Sequence, residues 1–266
     1  MTYAEICVRL KKAGIENYAR EAAILLEEFC GEFSEDKDFV EDKLEEAIEK
    51  RCARYPLQYI IGKWWLANCE FFVNESTLVP RPDTETVIEL AVKILPKRAR
   101  FADLCTGSGC IAISILDLRP DTEADAFDLY SDTLKMAEKN AAHNKVAERF
   151  TPILGDVLQN ELLGVRKYAA IISNPPYIRT DVIDTLEAEA KAEPRQALDG
   201  GEDGLLFYHA IVKNFAKNLE EGGFFLFEIG YDQAEDLCKI ADENGFTCDI
   251  YKDLGGCDRV ALLRKM

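Results

Sequence analysis

The sequence predicts an α/β protein in which a mostly parallel sheet is covered by helices on both faces. Three observations carry this prediction. Apolar residues recur every four positions over 1–55, which is typical of amphipathic helices. An aromatic and β-branched stretch over 56–80 indicates a β-hairpin. From about residue 85 onward strand patterns alternate with helix patterns, as expected for parallel strands joined by helical crossovers.

These regions define the predicted domain organisation. Residues 1–55 form a small helical bundle that either supports the rest of the chain or docks a partner, since an amphipathic bundle serves both roles. Residues 56–80 form the hairpin linker, and residues 81–266 form the α/β domain. Its predicted strands are RFADLC, ADAFDL, FTPILGD, YAAIISN, GFFLFEI and stretches near 246–251 and 258–264. Helices are expected over about 83–95, from 109, over 131–143, over about 203–219 and from 232.

The composition limits the functions that the chain can have. Its 266 residues carry 49 acidic and 32 basic side chains, and a formal charge of −17 argues against general binding to nucleic-acid phosphates. No apolar run approaches the ~20 residues that cross a bilayer. The nine cysteines form no CxxC pair and there are only two histidines, so no metal is expected. An odd cysteine count without a signal peptide favours reduced thiols in the cytoplasm, and we expect a monomer.

A glycine-rich loop follows the first strand of the α/β domain. In DLCTGSGCIA, Gly107 and Gly109 let the backbone approach a ligand where a β-carbon would clash. Gly107-x-Gly109-x-x-Ala112 fits the dinucleotide fingerprint, and Asp128 ends the next strand, where an acid accepts hydrogen bonds from ribose hydroxyls. NAD and S-adenosylmethionine both carry that ribose. Asp103 favours the second, because a carboxylate attracts its ammonium and repels a diphosphate.

A second motif, NPPY, ends the strand YAAIIS. Asn174 lies at the carboxyl edge of the predicted sheet, where open α/β sheets bind ligands. The Asn174 side-chain oxygen and the Pro175 carbonyl can accept the two N–H groups of a planar amide, which orients a poor nucleophile for attack. Pro175 and Pro176 fix the carbonyl direction and add no competing donor, and Tyr177 can stack on the planar group. An ordinary strand-ending turn is the competing interpretation.

The chain resembles the bacterial peptide-chain release factor N5-glutamine methyltransferases over essentially its whole length. The matching segments are YIIG at 59, VPRPDTE at 79, DLCTGSGCIA at 103, GD at 155, IISNPPYI at 171, EPRQALDGGEDGLLFY at 193, FEIG at 227 and DRV at 258. NPPY alone is shared with amino-methylating DNA and RNA enzymes. The PRP-acid-TE and ALDGG-DGL segments are far more specific.

The resemblance implies a Rossmann-like, seven-stranded methyltransferase sheet with a helical N-terminal domain. It implies S-adenosylmethionine as cofactor and, as substrate, the glutamine of the GGQ motif in class 1 release factors. The implied cofactor site consists of Cys105, Thr106, Gly107, Ser108, Gly109, Asp128 at the ribose, Val157 at the adenine, and Asn174. The implied glutamine site consists of Asn174, Pro175, Pro176 and Tyr177, with Arg81 ordering its edge. Asn174 and Pro175 would align an SN2 transfer that needs no dedicated general base.

The sequence departs from the family pattern in two motifs and in the hairpin. Cys105 stands where the family usually has glycine, so its side chain either crowds the loop or demands a particular backbone angle. Asp83 replaces the usual glutamate of the PRP segment, and Leu66 and Asn68 replace a phenylalanine and a glycine. None of these changes removes an atom that the chemistry uses.

Three other functions remain open from the residues alone. The same chemistry can act on a ribosomal-protein glutamine or on an exocyclic amine of a nucleic acid, although the acidity weighs against the latter. An NAD-dependent enzyme would use the glycine loop but give NPPY no task. A non-catalytic adaptor would bind its partner through the helical domain and would not need Asn174.

Overall fold

The structure is a computed structural model that describes residues 1–31, 42–159 and 162–266. The chain divides into two compact units. The helical unit comprises Met1–Lys63 and Leu186–Ala192, and the α/β unit comprises Trp64–Thr185 and Glu193–Met266. No helix in these described ranges combines the length and the apolar character that crossing a membrane requires.

Helices and strands are numbered in chain order. The helices are α1 (Tyr3–Lys12), α2 (Tyr18–Cys30), α3 (Asp42–Cys52), α4 (Leu57–Ile61), α5 (Glu85–Ile94), α6 (Cys110–Leu118), α7 (Ser131–His143), α8 (Thr180–Ile183), α9 (Ala188–Lys191), α10 (Leu206–Phe215) and α11 (Ala234–Glu243). The strands are β1 (Lys63–Leu66), β2 (Cys69–Phe72), β3 (Arg100–Leu104), β4 (Glu123–Asp128), β5 (Phe150–Leu154), β6 (Tyr168–Ser173), β7 (Leu219–Glu228), β8 (Phe246–Lys252) and β9 (Asp258–Lys265).

The helical unit is built on the spacing-four pattern of its sequence. Helix α1 begins at a capping box, in which the Thr2 side chain accepts from the Glu5 N–H and the Glu5 side chain accepts from the Thr2 N–H. The apolar residues of the pattern are buried, namely Ile6, Leu10, Ala22, Leu26, Leu44 and Ile48. Their burial supplies the hydrophobic stabilisation that short helices lack on their own.

The helical unit extends beyond the predicted boundary at residue 55. Helix α4 occupies the start of the segment that the sequence assigned to a hairpin, because Pro56 precedes it and Gly62, at φ +78°, ends it in the left-handed conformation. A later segment that contains α9 also belongs to this unit. There the buried Arg51 pairs with Glu21 at 2.6 Å and with Glu189 at 2.8 Å. That pairing joins residues far apart in sequence, so no local pattern signals it.

The α/β unit contains the predicted sheet. Among its described residues, seven strands are ordered β5-β4-β3-β6-β7-β9-β8, with β3 to β7 parallel and with β9 antiparallel to both of its neighbours. The chain moves outward from β3 to β5 and then returns to place β6 on the other side of β3. This reversal makes the β3–β6 boundary a topological switch point, where open α/β sheets bind ligands.

Each face of the sheet packs on its own group of helices. Successive residues of β7 alternate between the two faces: Phe224 and Leu226 join the core under α5, α6 and α7, whereas Phe225 and Phe227 join the core under α10 and α11. The predicted strands and long helices of this unit are confirmed within a few residues. The short helices α8 and α9, and the limits of the β1–β2 hairpin within 63–72, were not predicted.

Candidate active site

The register of the sheet brings the glycine loop and the NPPY corner together. Strands β3 and β6 are paired neighbours, and Leu104 lies opposite Ser173 at their carboxyl ends. The Ser173 hydroxyl donates to the Leu104 carbonyl at 2.6 Å and so ties the two strand ends. The next residue of each strand begins a motif, Cys105 on one side and Asn174 on the other. The two motifs that the sequence singled out therefore open from adjacent strands.

A cavity of about 490 Å³ lies at this edge of the sheet. Its walls consist of residues 76–81, Thr84, residues 105–108, Cys110, Ile111, residues 128–130, Thr133, residues 155–157, Asn174, Pro176, residues 194–197, Asp199 and Phe207. Most predicted site residues are in this wall, including Arg81, Asp128 and Val157. Gly109, Pro175 and Tyr177 are not among the lining residues.

The glycine loop is held in shape by hydrogen bonds from neighbouring elements. Cys105, Gly107 and Gly109 all have positive φ, at +60°, +57° and +82°. The left-handed conformation is unfavourable for residues with a β-carbon, whereas glycine adopts it freely. Cys105 therefore has the unusual backbone angle that was expected when a cysteine replaces the family's glycine. Asn140, fully buried on α7, donates to the Ser108 carbonyl at 2.8 Å and fixes the far side of the loop.

Asp103 lies beneath this loop and is not among the residues of the cavity wall. Its Oδ2 accepts the Thr106 hydroxyl at 2.7 Å and the Ala112 N–H at 3.2 Å. Its Oδ1 has no hydrogen-bond partner among the described residues. Burial raises the pKa of the carboxyl to about 7, against the hydrogen bonds that lower it. Asp103 is therefore placed to hold the glycine loop by hydrogen bonds, and this position does not support the expected direct contact with a ligand ammonium.

Asp128 ends β4 and lines the cavity. Its Oδ2 accepts the Gly107 N–H at 3.0 Å, and its Oδ1 accepts the Tyr130 N–H at 3.1 Å. Each oxygen therefore keeps lone-pair capacity for a ligand hydroxyl. Burial raises the pKa of Asp128, and the backbone donors oppose that shift. Leu129 and Val157, which also line the cavity, supply apolar surface for a planar base beside it.

The donor set at the loop fits S-adenosylmethionine. Among the described residues other than Gly107 and its chain neighbours, no heavy atom lies within 4 Å of where a Gly107 β-carbon would stand, so the loop leaves room for ligand atoms. The loop segment 103–112 contains one carboxyl, Asp103, and no lysine or arginine, and a second carboxyl, Asp128, accepts a hydrogen bond from the loop at Gly107. Carboxylates attract an ammonium and a sulfonium, and they repel the diphosphate of NAD. The loop therefore suits a cationic ligand.

The NPPY corner presents the side-chain amide of Asn174 to the cavity. Asn174 lines the cavity, and within the described ranges its side chain makes no hydrogen bond to protein. Pro175, the next residue, is buried. An amide oxygen at a cavity wall can accept a hydrogen bond from a ligand N–H.

Tyr177 lies away from the predicted stacking position. Its hydroxyl donates to Glu228 Oε1 at 3.4 Å, and Glu228 Oε2 accepts the Thr84 hydroxyl at 2.6 Å. Glu228 is fully buried, and burial raises its pKa to about 7. The ring packs in the core on the α10 and α11 side of the sheet. Because Tyr177 is not among the cavity-lining residues, this arrangement does not support stacking on the substrate.

Arg81 gains a partner that sequence reasoning left unassigned. Its guanidinium pairs with Glu193, whose side chain is 1% exposed, and Glu193 Oε2 also accepts the Val79 N–H at 2.9 Å. Burial raises the pKa of Glu193, while the Arg81 charge opposes the shift. One carboxylate therefore joins the two cavity-lining segments 79–81 and 194–197. The EPRQALDGG segment contained this signal, but nothing local in it identified Arg81 as the partner.

The fold and the cavity define the class of S-adenosylmethionine-dependent methyltransferases. Residues 84–202 match the model of the Methyltransferase small domain. A ribosomal-protein methylase from Lactobacillus delbrueckii subsp. bulgaricus has a TM-score of 0.51 at 21% identity, over 70% of this chain and 81% of that one, which shows the fold.

Curated relatives identify the particular family within this class. The chain is 34% identical to the release factor glutamine methyltransferase of Clostridium botulinum (strain Hall), over 96% of this chain and 95% of that protein. It is 36% identical to the one of Caulobacter vibrioides, over 96% and 92%. The chain belongs to the family of release factor glutamine methyltransferases.

Proposed function

We propose that the chain methylates the N5 amide nitrogen of the glutamine in the GGQ motif of class 1 release factors. The observation that carries the proposal is the pairing of Leu104 with Ser173, which opens the glycine loop and Asn174 into one cavity. The names of the relatives support the choice of a release factor over a ribosomal protein. We further propose that the chain acts in the cytoplasm as a monomer without direct nucleic-acid contact.

The residues divide between cofactor and substrate. Residues 105–108, Asp128 and Val157 would hold S-adenosylmethionine, with Gly109 shaping the turn into α6. When bound, the cofactor supplies an electrophilic methyl group on a sulfonium. Asn174 Oδ1 and the Pro175 carbonyl accept the two N–H groups of the glutamine amide and turn its nitrogen lone pair toward that methyl. Pro176 and Arg81 complete the wall around the amide.

The corner works through position and electrostatics. The amide lone pair is delocalised into its carbonyl, so the ground-state nitrogen is a poor nucleophile. Two fixed acceptors favour the tetrahedral nitrogen that develops during attack more than the planar one, and interactions that strengthen in the transition state raise kcat. The nitrogen's extra proton can pass to water. His143 ends α7 and His209 lies within α10, and neither lines the cavity.

Methylation of purified release factor with labelled cofactor tests the proposal. We expect one methyl group, located by mass spectrometry on the GGQ glutamine. Asn174→Ala should raise the activation free energy by about 3 kcal/mol, which lowers kcat roughly a hundredfold, with cofactor binding retained. Asn244→Ala, an exposed position outside the cavity wall, is the matched control.

Two results would contradict the proposal in different ways. Label on a ribosomal protein or a nucleic acid, with none on the release factor, would reject the substrate. Full activity of Asn174→Ala would reject the mechanism while leaving the substrate assignment intact.

A further inference from the structure

The two central residues of the NPPY corner are prolines, which limits how hydrogen bonds can hold the corner. Pro175 and Pro176 have no backbone N–H and cannot be held by donating hydrogen bonds. The carbonyl of Tyr177, the residue after the prolines, can accept a hydrogen bond that holds the corner. A donor outside the motif can hold the corner by a hydrogen bond to that carbonyl.

The side-chain amide of Gln233 supplies that donor. Gln233 precedes α11 and is 7% exposed. Its Nε2 donates to the Tyr177 carbonyl at 3.1 Å and to the Gly204 carbonyl at 3.2 Å, while its Oε1 accepts the Gly230 N–H at 2.9 Å. Both Nε2 protons are used, and three separate segments converge on one amide. Its hydrogen bonds link the NPPY, GGEDG and FEIG segments.

Two glycines let the backbone of the following segment press against the corner. A β-carbon at Gly200 would lie 2.7 Å from Tyr177 Cα and 2.8 Å from the Pro176 carbonyl oxygen. A β-carbon at Gly204, which has a φ of +77°, would lie 2.5 Å from the Tyr177 carbonyl oxygen and 2.9 Å from Gln233 Nε2. Contacts this close leave no space for side chains. The ALDGGEDGL segment is therefore shaped to let Gln233 reach the corner.

The other end of Tyr177 is also fixed. Its hydroxyl donates to Glu228, which in turn accepts the hydroxyl of Thr84. With the carbonyl held by Gln233 and the ring held in the core, the residue after Pro176 has little freedom to rotate. This anchor restricts the peptide that directly follows Pro175 and Pro176.

We infer that Gln233 is a positioning residue for methyl transfer: its amide fixes the Tyr177 peptide and thereby aims the acceptors of Asn174 and Pro175. This inference rests on the proposed function. Gln233 is not among the cavity-lining residues. Its amide hydrogen-bonds to the NPPY, GGEDG and FEIG segments and not to the glycine loop. Its loss should therefore lower the rate of transfer and leave cofactor binding unchanged, since small misplacements of reacting groups cost about a hundredfold in rate.

The test uses full-length protein, S-adenosylhomocysteine as the binding probe and purified release factor as substrate. Gln233→Glu keeps the shape but replaces both donated protons by a carboxylate oxygen. Gln233→Met removes the amide without adding a charge and covers the case in which the first variant fails to fold. Gln159→Glu, at an exposed position, is the matched control. We expect both Gln233 variants to lose about a hundredfold in kcat with an unchanged Kd for the probe.

A pH profile separates positioning from a general structural role. In Gln233→Glu the introduced carboxyl faces two carbonyl oxygens, so its pKa is raised and protonation restores one donor. Its kcat relative to the unaltered protein should therefore recover as the pH falls below neutrality, whereas Gln233→Met should show no recovery. The ionisable groups around this cage are the same in each protein, namely Glu228, Tyr177, Tyr208 and Arg259.

Each outcome decides between the claims. Normal kcat in both Gln233 variants would overturn the inference, as would parallel loss of thermal stability, probe binding and kcat without recovery at low pH. Failure of the unaltered protein to methylate the release factor would instead reject the proposed function.

Discussion

Two buried carboxylates on neighbouring strands of the central sheet have opposite surroundings. In the amino-terminal half of β4, Asp125 is fully buried and accepts from Arg100 at 2.7 Å, Arg166 at 2.8 Å and Tyr168 at 2.9 Å. At the carboxyl end of β3, Asp103 is equally buried, but among the described residues its Oδ1 has no partner.

The difference separates stability from ligand capacity. A buried carboxylate is expensive unless it is paired and hydrogen-bonded, and Asp125 meets both conditions. Asp103 meets them only in part, as its pKa of about 7 reflects. Glu228, at the end of β7 beside the NPPY corner, has a similarly raised pKa. The two acids with a pKa raised to about 7 thus hydrogen-bond to the motifs of the site, Asp103 to Thr106 and Glu228 to Tyr177. The partners of Asp125 are Arg100, Arg166 and Tyr168, which lie outside these motifs.

The largest expected effect comes from removing Asp125, the fully paired acid. Asp125→Ala removes the shared acceptor of Arg100, Arg166 and the buried Tyr168 phenol, although Arg100 keeps its pair with Glu123. We expect the free energy of unfolding to fall by about 3 kcal/mol, at the low end for a broken buried pair because both arginines keep access to water. Urea denaturation measures this change. Cofactor affinity of the folded protein should not change, and Asp242→Ala on an exposed face of α11 serves as control. An unaltered unfolding midpoint would show that the Asp125 cluster does not stabilise the fold.

The buried acids with raised pKa values should make the stability of the protein depend on pH. A carboxyl with a raised native pKa keeps a proton that the unfolded chain releases, so the free energy of unfolding falls as the pH rises from about 4 to 7. Asp103 and Glu228 both contribute to this fall. Asp103→Asn should remove one contribution and reduce the slope by roughly 1 kcal/mol per pH unit within that window. Denaturation series at several pH values measure the slope. Asp242→Asn should keep the original slope, and an unchanged slope in Asp103→Asn would contradict the raised pKa.

Local patterns made most of the fold predictable. The alternation of strands and helices, and the motifs at the ends of β3 and β6, depend on residues close together in sequence. The meeting of Cys105 and Asn174 followed from one rule about the carboxyl edge of parallel sheets. Chemistry at the end of a strand is therefore readable when the strand itself is readable.

The supporting contacts could not be predicted in the same way. Arg81 meets Glu193, and Gln233 reaches Tyr177, across long stretches of chain whose spacing carries no period. The sequence assigned Tyr177 to stacking because an aromatic ring beside an amide suggests it. Only the position of Glu228 shows that the phenol is directed into the core instead. Side-chain direction at a turn depends on tertiary partners, which residue type does not specify.

The smallest expected effect compares two neighbouring cysteines of the glycine loop. Cys105 has a φ of +60°, whereas Cys110 is the first residue of α6. At a left-handed position a β-carbon costs about 1–2 kcal/mol, and glycine's extra unfolded-state entropy offsets about half of this gain. Cys105→Gly should therefore be more stable than Cys105→Ala by about 1 kcal/mol. At Cys110 the order should reverse, because alanine is the better helix former. Thermal denaturation of the four variants measures both differences. Greater stability of the alanine variant at both positions would show that the loop stores no backbone strain at Cys105.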